Sequence, residues 1–93
     1  MIRSFACKET EKIFNRNASA KLPASIQKTA LRRLFVLHSA PKLGDLAGNP
    51  GNHLEELHGD RKGQHSIRIN DRWRLCFIWD GTDARKVEIV DYH

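Results

Sequence analysis

A run of alternating apolar residues in the last third of the chain constrains its fold more than any other feature. Trp73, Leu75, Phe77 and Trp79 occupy every second position of a seven-residue segment. This period of two is typical of a β-strand that buries one face against a core. The run therefore predicts a strand with one apolar face, and it puts Arg74 on the opposite face.

Four other segments have weaker strand patterns: residues 2–6, 54–58, 64–69 and 87–90. Asn70 and Asp71 form a candidate tight turn between residues 64–69 and the alternating run. Strands joined by such a turn lie side by side, so Arg68 is expected near Arg74 on one face of the sheet. Like charges at that distance destabilise a fold unless an anion separates them, and a phosphate site is therefore predicted there.

Helical patterns precede the strands. Residues 8–15 are predicted to form a first helix, and Pro23 suits the first turn of a second one. Spacings of four, four and three residues give the second helix an apolar face: Ile26, Ala30, Leu34 and Leu37. It should end before Pro41, and the glycine-rich residues 43–52 should form turns. Residues 1–93 are therefore expected to be one α+β domain, with two N-terminal helices on a largely antiparallel sheet of about four to five strands.

The composition favours a folded protein with an anionic partner. Hydrophobic residues make up 40% of the 93 residues, which is enough for a core. The net charge of +5 favours nucleic acid, although it is equally compatible with a basic protein that is merely soluble. Cys7 and Cys76 lie in no CxxC motif and are expected to be reduced. The first residues resemble neither a signal peptide nor a membrane span, so a cytoplasmic location is expected.

The basic residues fall into two groups. No acid occurs between Glu11 and Asp45, where the off-face cations of the second helix are found: Lys28, Arg32 and Arg33. A second group lies in the predicted sheet region: Arg61, Lys62, Arg68, Arg72 and Arg74. Two such surfaces would bind a large folded RNA through its phosphates. The alternative for the helical cations is a solvated helix face.

The last residues add groups that transfer protons. Asp91, Tyr92 and His93 follow one another, and His and Tyr are common acids or bases in catalysis. With arginines that hold phosphate, they suggest RNA cleavage through the ribose 2′-hydroxyl, without a metal. In a regular strand Tyr92 would face away from Asp91 and His93, so irregular backbone is expected there.

Each role has an alternative. Arg74 is the first choice for stabilising the phosphoryl oxygens, unless it forms only a surface ion pair. Tyr92 could instead cap the sheet edge, and Asp91 could orient a neighbour. His58 is a further candidate acid or base, whereas the charge of Glu55 would repel a phosphate. His53 and His58 lack the spacing of zinc ligands, and no metal site is expected.

The sequence resembles a known toxin family. The block GDRKGQHSIRINDRWRLCFIWD, the start MIRSF and the ending VEIVDYH are similar to HigB-type toxins of the RelE/ParE superfamily. The resemblance implies a RelE-like fold and ribosome-dependent cleavage of messenger RNA in the decoding site, without a metal or organic cofactor. It also implies a HigA-type helix-turn-helix antitoxin as partner, and contact with operator DNA only through that antitoxin.

Two other functions compete with RNA cleavage. The same superfamily includes ParE-like proteins that inhibit DNA gyrase without being enzymes. A basic RNA- or DNA-binding module without toxicity is the third reading. It is the weakest, because the sequence has neither a helix-turn-helix signature nor an RNP-type aromatic motif.

Overall fold

The computed structural model describes residues 1–91 and contains a four-stranded sheet in the region where the sequence predicts strands. The strands are β1 (Glu55–Glu56), β2 (His65–Arg68), β3 (Trp73–Trp79) and β4 (Ala84–Asp91). They lie in chain order, each antiparallel to the next. The helices α1 (Lys8–Phe14), α2 (Ala24–Ser39) and α3 (Leu43–Ala47) precede them. The α+β fold with N-terminal helices on an antiparallel sheet is therefore confirmed.

Helix α2 packs on the sheet through the face that its spacing predicts. Ile26, Ala30, Leu34 and Leu37 are all buried, in one cluster with sheet residues such as Leu75. Burying one such leucine side chain contributes about 1.5–3 kcal/mol. The helix ends at Ser39, ahead of Pro41, as predicted.

The hairpin between β2 and β3 fixes the register of the sheet. The side chain of Asn70 accepts hydrogen bonds from the backbone N–H groups of Arg72 and Trp73, at 2.9 and 2.8 Å. These bonds close the turn, as asparagine often does in tight turns. Arg68 consequently lies directly opposite Arg74, which confirms that the two arginines are neighbours.

Residues 43–52 and strand β4 differ from the expectation. Residues 43–52 contain the short helix α3 as well as turns, because Leu46 is buried and the carboxylate of Asp45 accepts a hydrogen bond from the N–H of Lys42. Strand β4 begins earlier than predicted and has an irregularity near Lys86, whose φ is 51°.

The remaining edge of β4 is covered by the start of the chain. Ile2 and Phe5 form isolated parallel bridges to Ala84 and Val87 in place of the predicted strand over residues 2–6. Both cysteines are free thiols, as expected. No helix within residues 1–91 combines the length and the apolar character needed to cross a membrane.

Candidate functional site

The side of the sheet turned away from α2 is here called the back face. It includes Ser66, Arg68, Arg74, Cys76 and Glu88. Their partners in the alternation, such as Ile67 and Leu75, lie in the helix-facing core. The back face is not the open surface that a simple alternation implies. Segments before β2 and the neighbouring strands enclose much of it, and the predicted basic residues of the sheet meet there or at its borders.

Arg74 is the most enclosed charge of the back face. It lies on the face opposite the helices, as the alternation predicts, yet only 8% of the residue is exposed. Its Nε donates to the hydroxyl of Ser66 at 2.7 Å, and its Nη2 donates to the backbone carbonyl of His53. Its Nη1 lies 3.8 Å from the carboxylate of Glu55. A guanidinium held in this way is a preorganised positive charge.

Arg68 adds a second positive charge beside Arg74. It is half-buried, and its Nη2 forms an ion pair with the carboxylate of Asp71, which is almost fully exposed. Protein carboxylates thus lie near both arginines, from Glu55 on one side and Asp71 on the other. A phosphate that binds here must compete with these two exposed carboxylates. Their negative charges offset the repulsion between Arg68 and Arg74 in the folded chain.

Arg72 lies at the edge of the site and is paired with Asp91. Its Nε and Nη2 each donate to that carboxylate at 2.8 Å. The hydrogen bonds and the charge of Asp91 raise the pKa of Arg72 above its ordinary value. Both carboxylate oxygens of Asp91 therefore accept hydrogen bonds from Arg72. Tyr92 and His93, together with any irregular backbone there, lie outside the described residues.

Arg61 adds a positive charge next to β4. Its Nη1 donates to Glu88 at 3.3 Å and to Gln64 at 3.1 Å. Beside it is an open cavity of about 290 Å³, lined by Leu57, His58, Asp60 and Arg61. His58 is thus close to Arg61, whose guanidinium contacts Glu88 on the back face. Lys62 follows as an exposed side chain.

The helical cations belong to the other layer of the molecule. Lys28 lines a groove of about 370 Å³ between α1 and α2, and Arg32 is exposed on α2. Arg33 instead donates to the buried side chain of Asn52 at 2.7 Å. Because the sheet separates α2 from the back face, these three residues are not part of the cluster around Arg74.

Comparison with known proteins identifies the family. A family model described as a RelE-like toxin of the type II toxin–antitoxin system HigB matches residues 3–93. The chain belongs to the HigB-like toxin family. Membership in a type II toxin family implies an antitoxin partner. The resemblance seen in the sequence motifs is therefore confirmed over nearly the whole chain.

Two relatives of this HigB-like toxin are informative. It is 31% identical over 93 residues to Endoribonuclease HigB of Proteus vulgaris, an alignment that covers both chains fully. It is 43% identical over 58 residues to Toxin HigB-1 of Vibrio cholerae serotype O1, which is 62% of this chain and 61% of that protein. The first of these relatives is named as an endoribonuclease.

Two contributors to the site were not singled out from the sequence of this HigB-like toxin. Ser66 is two residues before Arg68, so the period of two could have assigned it to the same face. The carbonyl of His53 is a backbone group that no side-chain motif reveals. Among residues 1–91, no three His, Cys, Asp or Glu side chains are grouped so that they could hold a metal ion.

Proposed function

We propose that this HigB-like toxin is an endoribonuclease that cleaves messenger RNA on the ribosome without a metal ion. The observation that carries the proposal is the buried guanidinium of Arg74, which Ser66 and the His53 carbonyl fix beside Arg68. A fixed cation next to a second one suits the charge that develops on a phosphodiester during cleavage. The name of the Proteus vulgaris relative supports the same activity.

The reaction needs no nucleophile from the protein, because RNA supplies the ribose 2′-hydroxyl. A base removes the hydroxyl proton, and the oxygen forms a new bond to the adjacent phosphorus. The bond from phosphorus to the 5′ oxygen breaks, and an acid protonates that oxygen. The products are a 2′,3′-cyclic phosphate and a 5′-hydroxyl. In this proposal Arg74 stabilises the phosphoryl oxygens and Arg68 holds the same or the next phosphate.

Proton transfer is assigned to side chains that can act as acids or bases. Glu55 and His58 are the candidates for the base among the described residues. The repulsion expected between Glu55 and a phosphate is reduced by Arg74, which lies 3.8 Å away. Tyr92 and His93 are the candidates for the acid. A tyrosine has an ordinary pKa of about 10, so it would need nearby cations to transfer a proton at neutral pH.

The remaining partners follow from the family. We propose a HigA-type antitoxin, with operator DNA contacted only through it. The ribosomal decoding site is proposed as the place of cleavage, and the cytoplasm as the location. Arg61 and Lys62 continue the positive region of the site, and Arg72 lies beside it. Lys28 and Arg32 would contact RNA with the other side of the molecule, so binding should weaken steeply with salt.

Mapping of 5′ ends on a translated messenger tests the proposal. Ribosomes, messenger and protein are incubated in the presence of a chelator selective for transition-metal ions, and new 5′-hydroxyl ends are counted. Arg74→Lys should lower the cleavage rate by about 100- to 1,000-fold, as expected for loss of one preorganised donor. Arg85→Lys is the matched control. Arg85 pairs with Asp80 at the opposite end of the sheet, at 2.6 Å, and its replacement should leave the rate unchanged.

Three results would contradict the proposal. Equal cleavage of a messenger with 2′-deoxyribose at the cut would exclude the 2′-hydroxyl mechanism. Loss of all cleavage with a chelator selective for zinc and other transition-metal ions, which leaves the Mg²⁺ that ribosomes need, would show that the reaction depends on such a metal and would contradict the proposal. DNA breaks that depend on gyrase, with an intact messenger, would replace the nuclease with the ParE-like function.

A further inference from the structure

A buried asparagine lies in a connection that is otherwise exposed. Asn52 is 0% exposed, whereas Pro50, Gly51 and His53 beside it are exposed. A buried amide needs partners for its oxygen and its nitrogen. Its Nδ2 donates to the carbonyl of Leu46 at 3.0 Å. Its Oδ1 accepts the hydrogen bond from Arg33, so the side chain joins α3 to α2.

Arg33 holds this connection with more than one donor. Besides Nη1, which donates to Asn52, its Nη2 donates to the carbonyl of Gly51 at 3.3 Å. A guanidinium that donates to two adjacent residues fixes both the position and the orientation of the segment between them. Arg33, which the sequence predicts to bind phosphate, therefore donates hydrogen bonds to other groups of the protein.

The connection leads directly to the site. His53 follows Asn52 and has a φ of 43°, a left-handed conformation that a non-glycine residue keeps only where its surroundings enforce it. The N–H of Asn52 donates to Asn49, and the N–H of His53 donates to Pro50. This tight turn directs the His53 carbonyl at Nη2 of Arg74.

We propose that Arg33 and Asn52 are positioning residues, which hold the His53 carbonyl against Arg74 and thereby fix the guanidinium for catalysis. The proposal rests on the proposed nuclease activity for its kinetic consequence. Arg33 then has an indirect role in the site, although it belongs to α2, which lies on the other side of the sheet. The other cations of α2, Lys28 and Arg32, are exposed. A misplacement of about 1 Å of a catalytic group can lower a rate by about 100-fold. If the His53 carbonyl no longer held Arg74 in place, the cleavage rate should therefore fall.

Kinetics of single and double variants test the connection. Arg33→Lys keeps the charge but loses the planar fork whose two nitrogens reach Asn52 and Gly51, and Asn52→Ala removes both side-chain bonds. Each should lower kcat by about 10- to 100-fold with little change in KM. In an Arg74→Lys background the same changes should lower the residual kcat by less than about twofold, because the group on which they act is already absent.

A stability-matched control separates positioning from general destabilisation. Ile13→Val removes one methylene from the core beneath α1, on the other side of the molecule. It should lower the unfolding midpoint while kcat stays unchanged. Asn52→Asp keeps an acceptor for Arg33 and should retain more of kcat than Asn52→Ala. Equal losses of kcat in the wild-type and Arg74→Lys backgrounds would overturn the proposal.

A measurement without RNA keeps the two proposals distinguishable. The Nε–H of Arg74 donates to Ser66 and should exchange slowly with water in a nitrogen-15 NMR experiment. Arg33→Lys should accelerate this exchange at least tenfold, and Ile13→Val should not. Unchanged exchange would overturn the positioning role even if the protein is an active nuclease. Absence of cleavage by the wild type, with accelerated exchange in Arg33→Lys, would overturn only the nuclease.

Discussion

Adjacent residues of strand β3 face two interiors that are held together differently. Leu75 and Phe77 point into an apolar core beneath the helices, and both are fully buried. Cys76 is equally buried but points into the back face, where Arg74 donates hydrogen bonds to Ser66. Burial fraction alone does not distinguish these environments. Apolar burial has no preferred direction, whereas a buried guanidinium requires partners at fixed positions.

The difference indicates what each face contributes. A close-packed apolar core tolerates exchanges of similar volume and supplies most of the stability. The back face loses specific hydrogen bonds with almost any exchange, and in return it holds a positive charge in a fixed place. The helix-facing core should therefore determine whether the chain folds, and the back face should determine the nuclease activity that we propose.

The helix-facing core should give the largest effect on stability. Phe77→Ala removes a fully buried ring and should lower the free energy of unfolding by about 3–5 kcal/mol. Urea denaturation followed by tryptophan fluorescence measures this loss. Phe77→Leu, which keeps most of the apolar volume, should lose clearly less. A loss below about 1 kcal/mol for Phe77→Ala would mean that the two faces do not differ as described.

The back face should give an intermediate effect on stability. Ser66→Ala removes the hydroxyl that accepts the 2.7 Å hydrogen bond from Arg74 and leaves a buried charged donor without it. Such a change costs about 1–3 kcal/mol. Ser39→Ala, at the exposed end of α2, is the control and should change stability by less than about 0.5 kcal/mol. Equal stability of the two variants would show that directional bonds do not hold the back face.

Sequence patterns predict the helix-facing core well because hydrophobic spacing reports which side of an element is buried. The spacing of Leu34 and Leu37 and the alternation of Leu75 and Phe77 identified that core directly. The short helix α3 was missed because it has five residues and contains Gly44, so no apolar period could develop.

The same patterns predict the back face only in part. Alternation shows that Arg74 points away from the helices, but it cannot show what covers that side. The cover comes from His53 and Glu55, about twenty residues earlier, through a turn whose shape depends on the buried Asn52. Tertiary contacts of this kind leave no local period in the sequence. The neighbouring position of Arg68 was predictable because a tight turn fixes the register.

Ion pairs were also hidden from the sequence. Arg61 pairs with Glu88 and Arg72 pairs with Asp91, across 27 and 19 residues. Counting the cations of the sheet region therefore overstates the positive charge that the folded chain offers to RNA. The count identifies a basic surface, but only the register of the strands shows which charges have acidic neighbours.

The smallest expected effect concerns Cys76 and tests whether the back face excludes water. Burial is the main cause that raises the pKa of the Cys76 thiol above its ordinary value. An unfolded chain then loses this proton at a lower pH than the folded protein does. Stability from this group is therefore complete at neutral pH and declines as the pH rises above about 8.5, the ordinary thiol pKa.

Urea midpoints at pH 7.5 and pH 10 measure this decline. Other groups titrate in the same range, so the relevant quantity is the difference between the wild type and Cys76→Ala at each pH. That difference should shift in favour of Cys76→Ala at the higher pH. Thiol labelling of the folded protein should modify the partly exposed Cys7 well before Cys76. Equal labelling rates, or a pH-independent difference, would show that water reaches the thiol and that the back face is open like an ordinary protein surface.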